Sequence, residues 1–175
     1  MKKSRKITVI LIFALSMAHA AFGQSPEKTE IPDEEYGIYT LAMEAVGGAS
    51  SVNGETLNGE WKDYLLNFFE DPVKPGPDLV KDFNQKNKAP YPLSAAFIQA
   101  SKKEPVRPLG DKRQARFSRP GLDLKKGQAL LVVGLTYVYP EDVMNEGKFV
   151  LLGKKDGKWV VEKTIQAWDM RLGDI

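Results

Sequence analysis

From Arg116 to Trp168 the apolar residues recur with strand spacing, most densely across 128–139. Ala129, Leu131, Val133, Leu135 and Tyr137 fall on one face of that run, and Leu130, Val132, Thr136 and Val138 on the other, because strand side chains alternate. Two apolar faces predict a strand covered on both sides, or a central strand under helices. The β-branched and aromatic content favours strand over helix. A second run, Lys148 to Lys154, leads through Asp156-Gly157 into Trp159, Val160 and Val161. Asp-Gly between two apolar runs predicts a tight hairpin, since Gly supplies the positive φ the turn needs. In the last strand Trp159, Val161, Ile165 and Ala167 are expected to share one face, with Val160, Glu162, Thr164 and Gln166 opposite.

Upstream the period changes to that of helices. Asp33 is placed to cap a helix, with Glu34 and Glu35 beside the positive end of its dipole. Tyr36, Tyr39, Met43 and Val46 keep helical spacing, and Gly47-Gly48 ends it. Trp61, Tyr64, Leu65, Phe68 and Phe69 form an amphipathic stripe whose four aromatics suit a carbohydrate or lipid platform, although core packing is the simpler explanation. Asp78 caps a short helix to about Lys86, with Leu79, Val80 and Phe83 inward. Pro92 to Lys102 reads as another helix, with Leu93, Ala96, Phe97 and Ala100 on one face. Arg113 to Arg119 reads as a short strand that Pro120-Gly121 breaks, and Lys125-Lys126-Gly127 turns into the long strand. The expectation is a single α+β domain over 32–175, its N-terminal helices (about 33–103) packed on one face of a C-terminal antiparallel meander (about 114–168). By analogy, a curved sheet with helices in its hollow, cystatin-like or nuclear-transport-factor-like, satisfies this order.

Residues 1–23 are set apart. Lys2, Lys3, Arg5 and Lys6 precede an apolar core from Ile7 to Met17, with small residues at Ala18-His-Ala20 or Ala21-Phe-Gly23, the layout of a secretory signal peptide. The polar stretch 24–31 is expected to be disordered, and the mature protein periplasmic or secreted, without a membrane span. No Cys follows the apolar core, so lipoprotein processing is excluded. Of the 175 residues none is Cys and one, His19, is His. A mature chain lacking both has no disulfide, thiol nucleophile, Ser-His-Asp triad or ordinary zinc site. Nothing in the sequence asks for a cofactor, and any metal would be a hard cation on oxygen ligands.

Removing the leader also changes the charge. The formal +2 becomes −2, with 21 Lys and Arg against 23 Asp and Glu. Residues 24–101 carry −7, residues 102–126 carry +6, and residues 127–175 carry −1. The basic segment either folds against the acidic half, is a solvated loop, or forms a patch for an anionic ligand or surface. Nucleic acid does not suit an exported protein of this balance.

Several stretches resemble a group of secreted bacterial proteins of unknown function. They are Phe117-Ser-Arg-Pro-Gly-Leu122, Gln128-Ala-Leu130, Lys155-Asp-Gly-Lys-Trp-Val160 and the closing Trp168, with a fainter echo at Asp82-Phe-Asn-Gln-Lys-Asn87. The group tends to carry a Ser-Arg-x-Gly-Phe step, a Gln-Ala-Leu strand, a glycine-bearing loop and a Gly-Lys-Trp hairpin. Here Leu122 replaces the usual aromatic, and the loop from Pro140 to Gly147 is acidic rather than glycine-rich. The resemblance implies the strand order and no activity.

Two constellations bear on chemistry. Glu141, Asp142 and Glu146 crowd one loop, where carboxylates can raise one another's pKa or hold Ca²⁺, though their spacing matches no calcium loop and acidic loops are commonly just solvated. Arg116 and Ser118, if they face together, can grip a carboxylate or phosphate. Arg119 and the basic pair Lys112 and Arg113 extend that candidate site, against the simpler explanation of an Arg paired with Glu162 or another carboxylate. Ser118 as a nucleophile would need a Lys base, because no His remains. Trp159 and Trp168 read as core and sheet-end packing rather than as a ligand platform. The preferred function is a non-catalytic domain binding a ligand or another exported protein. The alternatives are a carboxylate-dependent hydrolase of envelope or extracellular polymers and a structural or inhibitory partner protein.

Overall fold

The computed structural model describes residues 30–59, 69, 74–102, 112–139 and 142–171. Its elements in chain order are helix α1 (Asp33–Ala45), strand β1 (Ser51–Val52), helices α2 (Pro77–Lys86) and α3 (Ala95–Ala100), and strands β2 (Lys112–Phe117), β3 (Gly121–Asp123), β4 (Gln128–Val138), β5 (Val143–Lys155) and β6 (Lys158–Arg171). They form an α+β fold around a six-stranded mixed sheet of order β1-β2-β4-β5-β6, in which β3 also pairs with β4. All pairings are antiparallel except β1 with β2. The stripe from Trp61 to Phe68 lies outside the described residues, as do the leader and residues 103–111. Phe69 is buried and packs on Phe149, ring centroids 5.9 Å apart.

The two apolar faces of β4 do enter separate cores. Ala129, Leu131, Val133, Leu135 and Tyr137 join Ile38, Tyr39, Ala42 and Met43 of α1. Leu130 and Val132 join Leu79, Val80 and Phe83 of α2, with Phe149, Leu151 and Phe69. The helices therefore divide between the faces, whereas the sequence pattern puts them on one. Tethering explains the split. Chain 50–57 follows the β2 edge through Ser50, Asn53 and Leu57 amides donating to Arg113, Ala115 and Phe117 carbonyls, while Gly121 seats β3 against Phe83 of α2.

Helix boundaries differ little from expectation. α1 starts at Asp33, but no side chain caps it and Pro32 holds the N-cap position. In α2 the capping position is Gly76, with Pro77 first in the helix, so Asp78 lies inside the first turn rather than before it. α3 is shorter than expected, because the Ser94 hydroxyl accepts from the Phe97 amide and sets its start there. On it Phe97 and Ile98 face the core, whereas Ala96 and Ala100 are exposed.

The hairpin joins β5 to β6 at Asp156 (φ 51°) and Gly157 (φ 78°), both left-handed as the tight turn requires. Gly157→Val should lower stability by about 1–3 kcal/mol by forcing a β-branched residue into that region. Lys155→Ala, at an exposed position, should stay within about 0.5 kcal/mol. Denaturant midpoints in the reverse order would contradict the turn.

The expected alternation along β6 fails for a definable reason. Register shifts fall between Leu151 and Leu152 and between Gly147 and Lys148 of the partner strand, leaving Glu162 and Ala167 as extra residues on β6. Each bulge reverses the parity of the residues beyond it. Trp159 and Val161 consequently pack on the α1 side, while Ile165 lies on the α2 side with Ala167.

Candidate functional site

The five basic-segment candidates are separated by strand alternation. Lys112 and Arg116 share a face with Gln114, whereas Arg113 faces the other way with Ala115 and Phe117. Arg113 Nη1 donates to the Gly47 and Gly48 carbonyls at 3.1 and 3.0 Å, fixing the turn that follows α1 to β2. Its guanidinium also stacks on Tyr137, 4.5 Å from the ring centroid.

Ser118 and Arg119 lie in the interruption between β2 and β3, and both are buried. Ser118 stays bonded to β4: its amide donates to the Val132 carbonyl at 2.9 Å, and its Oγ accepts from the Val132 amide at 2.8 Å. Arg119 turns towards α1 and forks onto Glu35, Nε to Oε2 at 3.1 Å and Nη2 to Oε1 at 2.8 Å. Glu35 is 1% exposed and Arg119 8%. Lys86 Nζ lies 3.4 Å from Glu35 Oε1 and 3.2 Å from Asp82 Oδ2, and donates to the Pro120 carbonyl. The Asn87 amide group grips the Arg119 backbone in both directions at 2.7 and 2.8 Å. Two acids and two bases balance, and each charged group has a partner. This is a structural junction, at which the stretch Asp82–Asn87 meets the stretch Ser118–Leu122.

Sequence reasoning placed Glu35 only near the helix dipole. Its buried role was signalled by spacing: it lies three and four residues before Ile38 and Tyr39, on the apolar side of α1. Burial opposes the charged form of Arg119, but the hydrogen bond and charge of Glu35 outweigh it, and the net pKa shift is upward.

Of the three acidic-loop carboxylates, two lie among the described residues, and each has a nearby partner. Glu141 lies outside the described residues, and Asp142 Oδ1 accepts the Val143 amide at 2.7 Å. Glu146 accepts from the Tyr137 hydroxyl and lies 3.4 Å from Lys148 Nζ. Among the described residues no three His, Cys, Asp or Glu side chains could hold an ion together.

Burial, then the bond to Glu146, pushes the Tyr137 phenol well above its usual range; burial, then the charge of Glu35, does the same for Tyr39. A folded pKa raised above the unfolded value means stability present below about pH 10 and lost as pH rises beyond it. Tyrosinate absorbance during an alkaline titration should therefore show Tyr39 and Tyr137 ionising only with unfolding. Ionisation of all tyrosines in the folded state would contradict this.

Among the described residues, the sheet face beyond α2 and Phe69 carries exposed and half-buried side chains. Past the row Val132–Phe149–Ile165, the same sheet face continues as Arg116–Gly134–Gly147–Trp168 and then Gln114–Thr136–Asn145–Met170. The first row closes the core. A Cβ on Gly147 would sit 2.2 Å from Trp168 ring atoms, and one on Gly134 3.3 Å from Leu57 Cδ1, so both glycines make room for flanking side chains. The second row is polar, with Gln114 and Met170 exposed, Thr136 and Asn145 half-buried, and the Thr136 hydroxyl donating to Asn145 Oδ1 at 2.8 Å. Lys112 and Val138 extend it, both exposed. Arg116 borders this surface with its Nε buried and lacking a hydrogen-bond partner. Among the described residues of these rows none carries a carboxylate, and the charged side chains are Lys112 and Arg116.

No protein-family model, no curated protein and no solved structure matches the chain. Among the described residues no helix is long and apolar enough to cross a membrane. The functional reading rests on the chain's own chemistry.

Proposed function

We propose that the protein is an exported, non-catalytic domain that binds a ligand across the open half of the sheet face shared with α2. Export follows from the leader-like residues 1–23, and periplasmic or secreted placement with it. One observation carries the binding reading. Alongside this half the same face is covered by α2 and Phe69, whereas these rows present polar side chains and, among the described residues, two cations and no carboxylate. A binding surface needs unsatisfied donors of this kind on a rigid floor, and central strands provide the floor. Of the acidic-loop carboxylates that the hydrolase alternative would use, Glu146 is engaged by Tyr137 and Lys148.

The test is a thermal-shift screen of sugars, organic acids and peptides against wild type and a blocked double variant, Gln114→Trp with Asn145→Trp. A ligand at a hundred times its Kd should stabilise wild type by about 2.7 kcal/mol, a Tm rise of roughly 5–10 °C. The blocked variant should show no rise. Equal stabilisation of both proteins would place binding elsewhere.

A further inference from the structure

We infer that the open half of this face takes an acidic oligosaccharide, a short chain of sugars bearing carboxylates, laid along β2. The inference rests on the binding reading and specifies its ligand. Lys112, Gln114 and Arg116 stand on one side of β2 in consecutive same-face positions. Strand geometry puts the two cations about 13 Å apart, with an amide between them. Cations that far apart do not converge on one small anion; they suit an extended ligand with anionic groups at intervals.

The groups between the cations select the kind of anion. Arg116 offers a planar fork, which fits carboxylate and phosphate alike. Gln114 presents both an amide donor and an amide acceptor, and it is exposed. The Thr136 hydroxyl donates to Asn145 Oδ1, which leaves the Asn145 NH₂ as a donor beside the same row. Mixed donors and acceptors match sugar hydroxyls, which both give and accept hydrogen bonds. A polyphosphate chain offers acceptors alone and would leave the Gln114 carbonyl unmatched. Recognition needs no movement of the buried junction, because Arg119 and Ser118 are already satisfied.

The test measures binding of oligogalacturonate and of polyphosphate of similar length to the full chain, with its leader processed in the producing cell. Oligogalacturonate should bind more tightly and weaken steeply with salt. Arg116→Gln should lower its affinity about tenfold or more, as expected for a charge-assisted hydrogen bond. Gln114→Ala should weaken oligogalacturonate and leave polyphosphate unchanged. Should Arg116→Gln fold poorly, the exposed Lys112→Gln supplies the charge test, with a loss on the order of threefold. Equal or tighter polyphosphate binding, insensitive to Gln114→Ala, overturns the saccharide assignment. Affinity unchanged in both charge variants overturns the site. If neither anion binds while a neutral ligand still distinguishes wild type from the blocked variant, the saccharide inference falls and the binding reading stands.

Discussion

Glu35→Ala is expected to destabilise the protein by about 3–5 kcal/mol, among the largest losses a single change in this chain can produce. The carboxylate is 1% exposed and accepts both hydrogen bonds of the Arg119 fork. Removing it strands a buried guanidinium, and Lys86 loses its link to α1. Replacing both partners by apolar residues of similar volume, as in Glu35→Leu with Arg119→Met, should recover most of the loss, because no charge is then left buried. Urea midpoints for the single and double variants check this. A single-variant loss below about 1 kcal/mol would mean the pair is effectively solvated.

Gly121→Ala is the second. A Cβ there would lie 2.5 Å from Phe83 Cβ and 2.7 Å from the Phe83 backbone nitrogen and Cα. Rotating a side chain cannot relieve contacts with backbone, so α2 must shift from the sheet. The loss should reach the upper end of about 1–3 kcal/mol. Gly37 is the internal contrast: it sits in α1 with nothing within 4 Å of an added Cβ. Gly37→Ala should stabilise by about 0.5–1 kcal/mol through helix propensity. A neutral Gly121→Ala would show that the α2 contact is looser than these distances imply.

The local elements were legible because their signals are local. Alternation on β4, the Asp156-Gly157 turn and the spacing in α1 each depend on residues a few positions apart. Parity along β6 was not legible, since a bulge is a mismatch with β5 and one strand alone cannot show it. The division of helices between faces depends on contacts such as Gly121 with Phe83, 38 residues apart in the chain. Of the candidate residues, Lys112 and Arg116 stay together on one face because they are four apart on a strand. Arg113 was lost from the set by parity, and Arg119 by a carboxylate 84 residues upstream. Local sequence pattern cannot identify that partner, although the charge imbalance between 24–101 and 102–126 pointed to such pairing.

The most direct measurement is backbone-amide chemical-shift mapping of the isotope-labelled protein during titration with oligogalacturonate. Binding at the open half predicts shifts concentrated on Gln114, Thr136 and Asn145, with smaller changes at Lys112 and Met170 and none at Tyr137 or Glu146 on the opposite face. Shifts clustered on Tyr137 and Glu146, with Gln114, Thr136 and Asn145 unmoved, would contradict it.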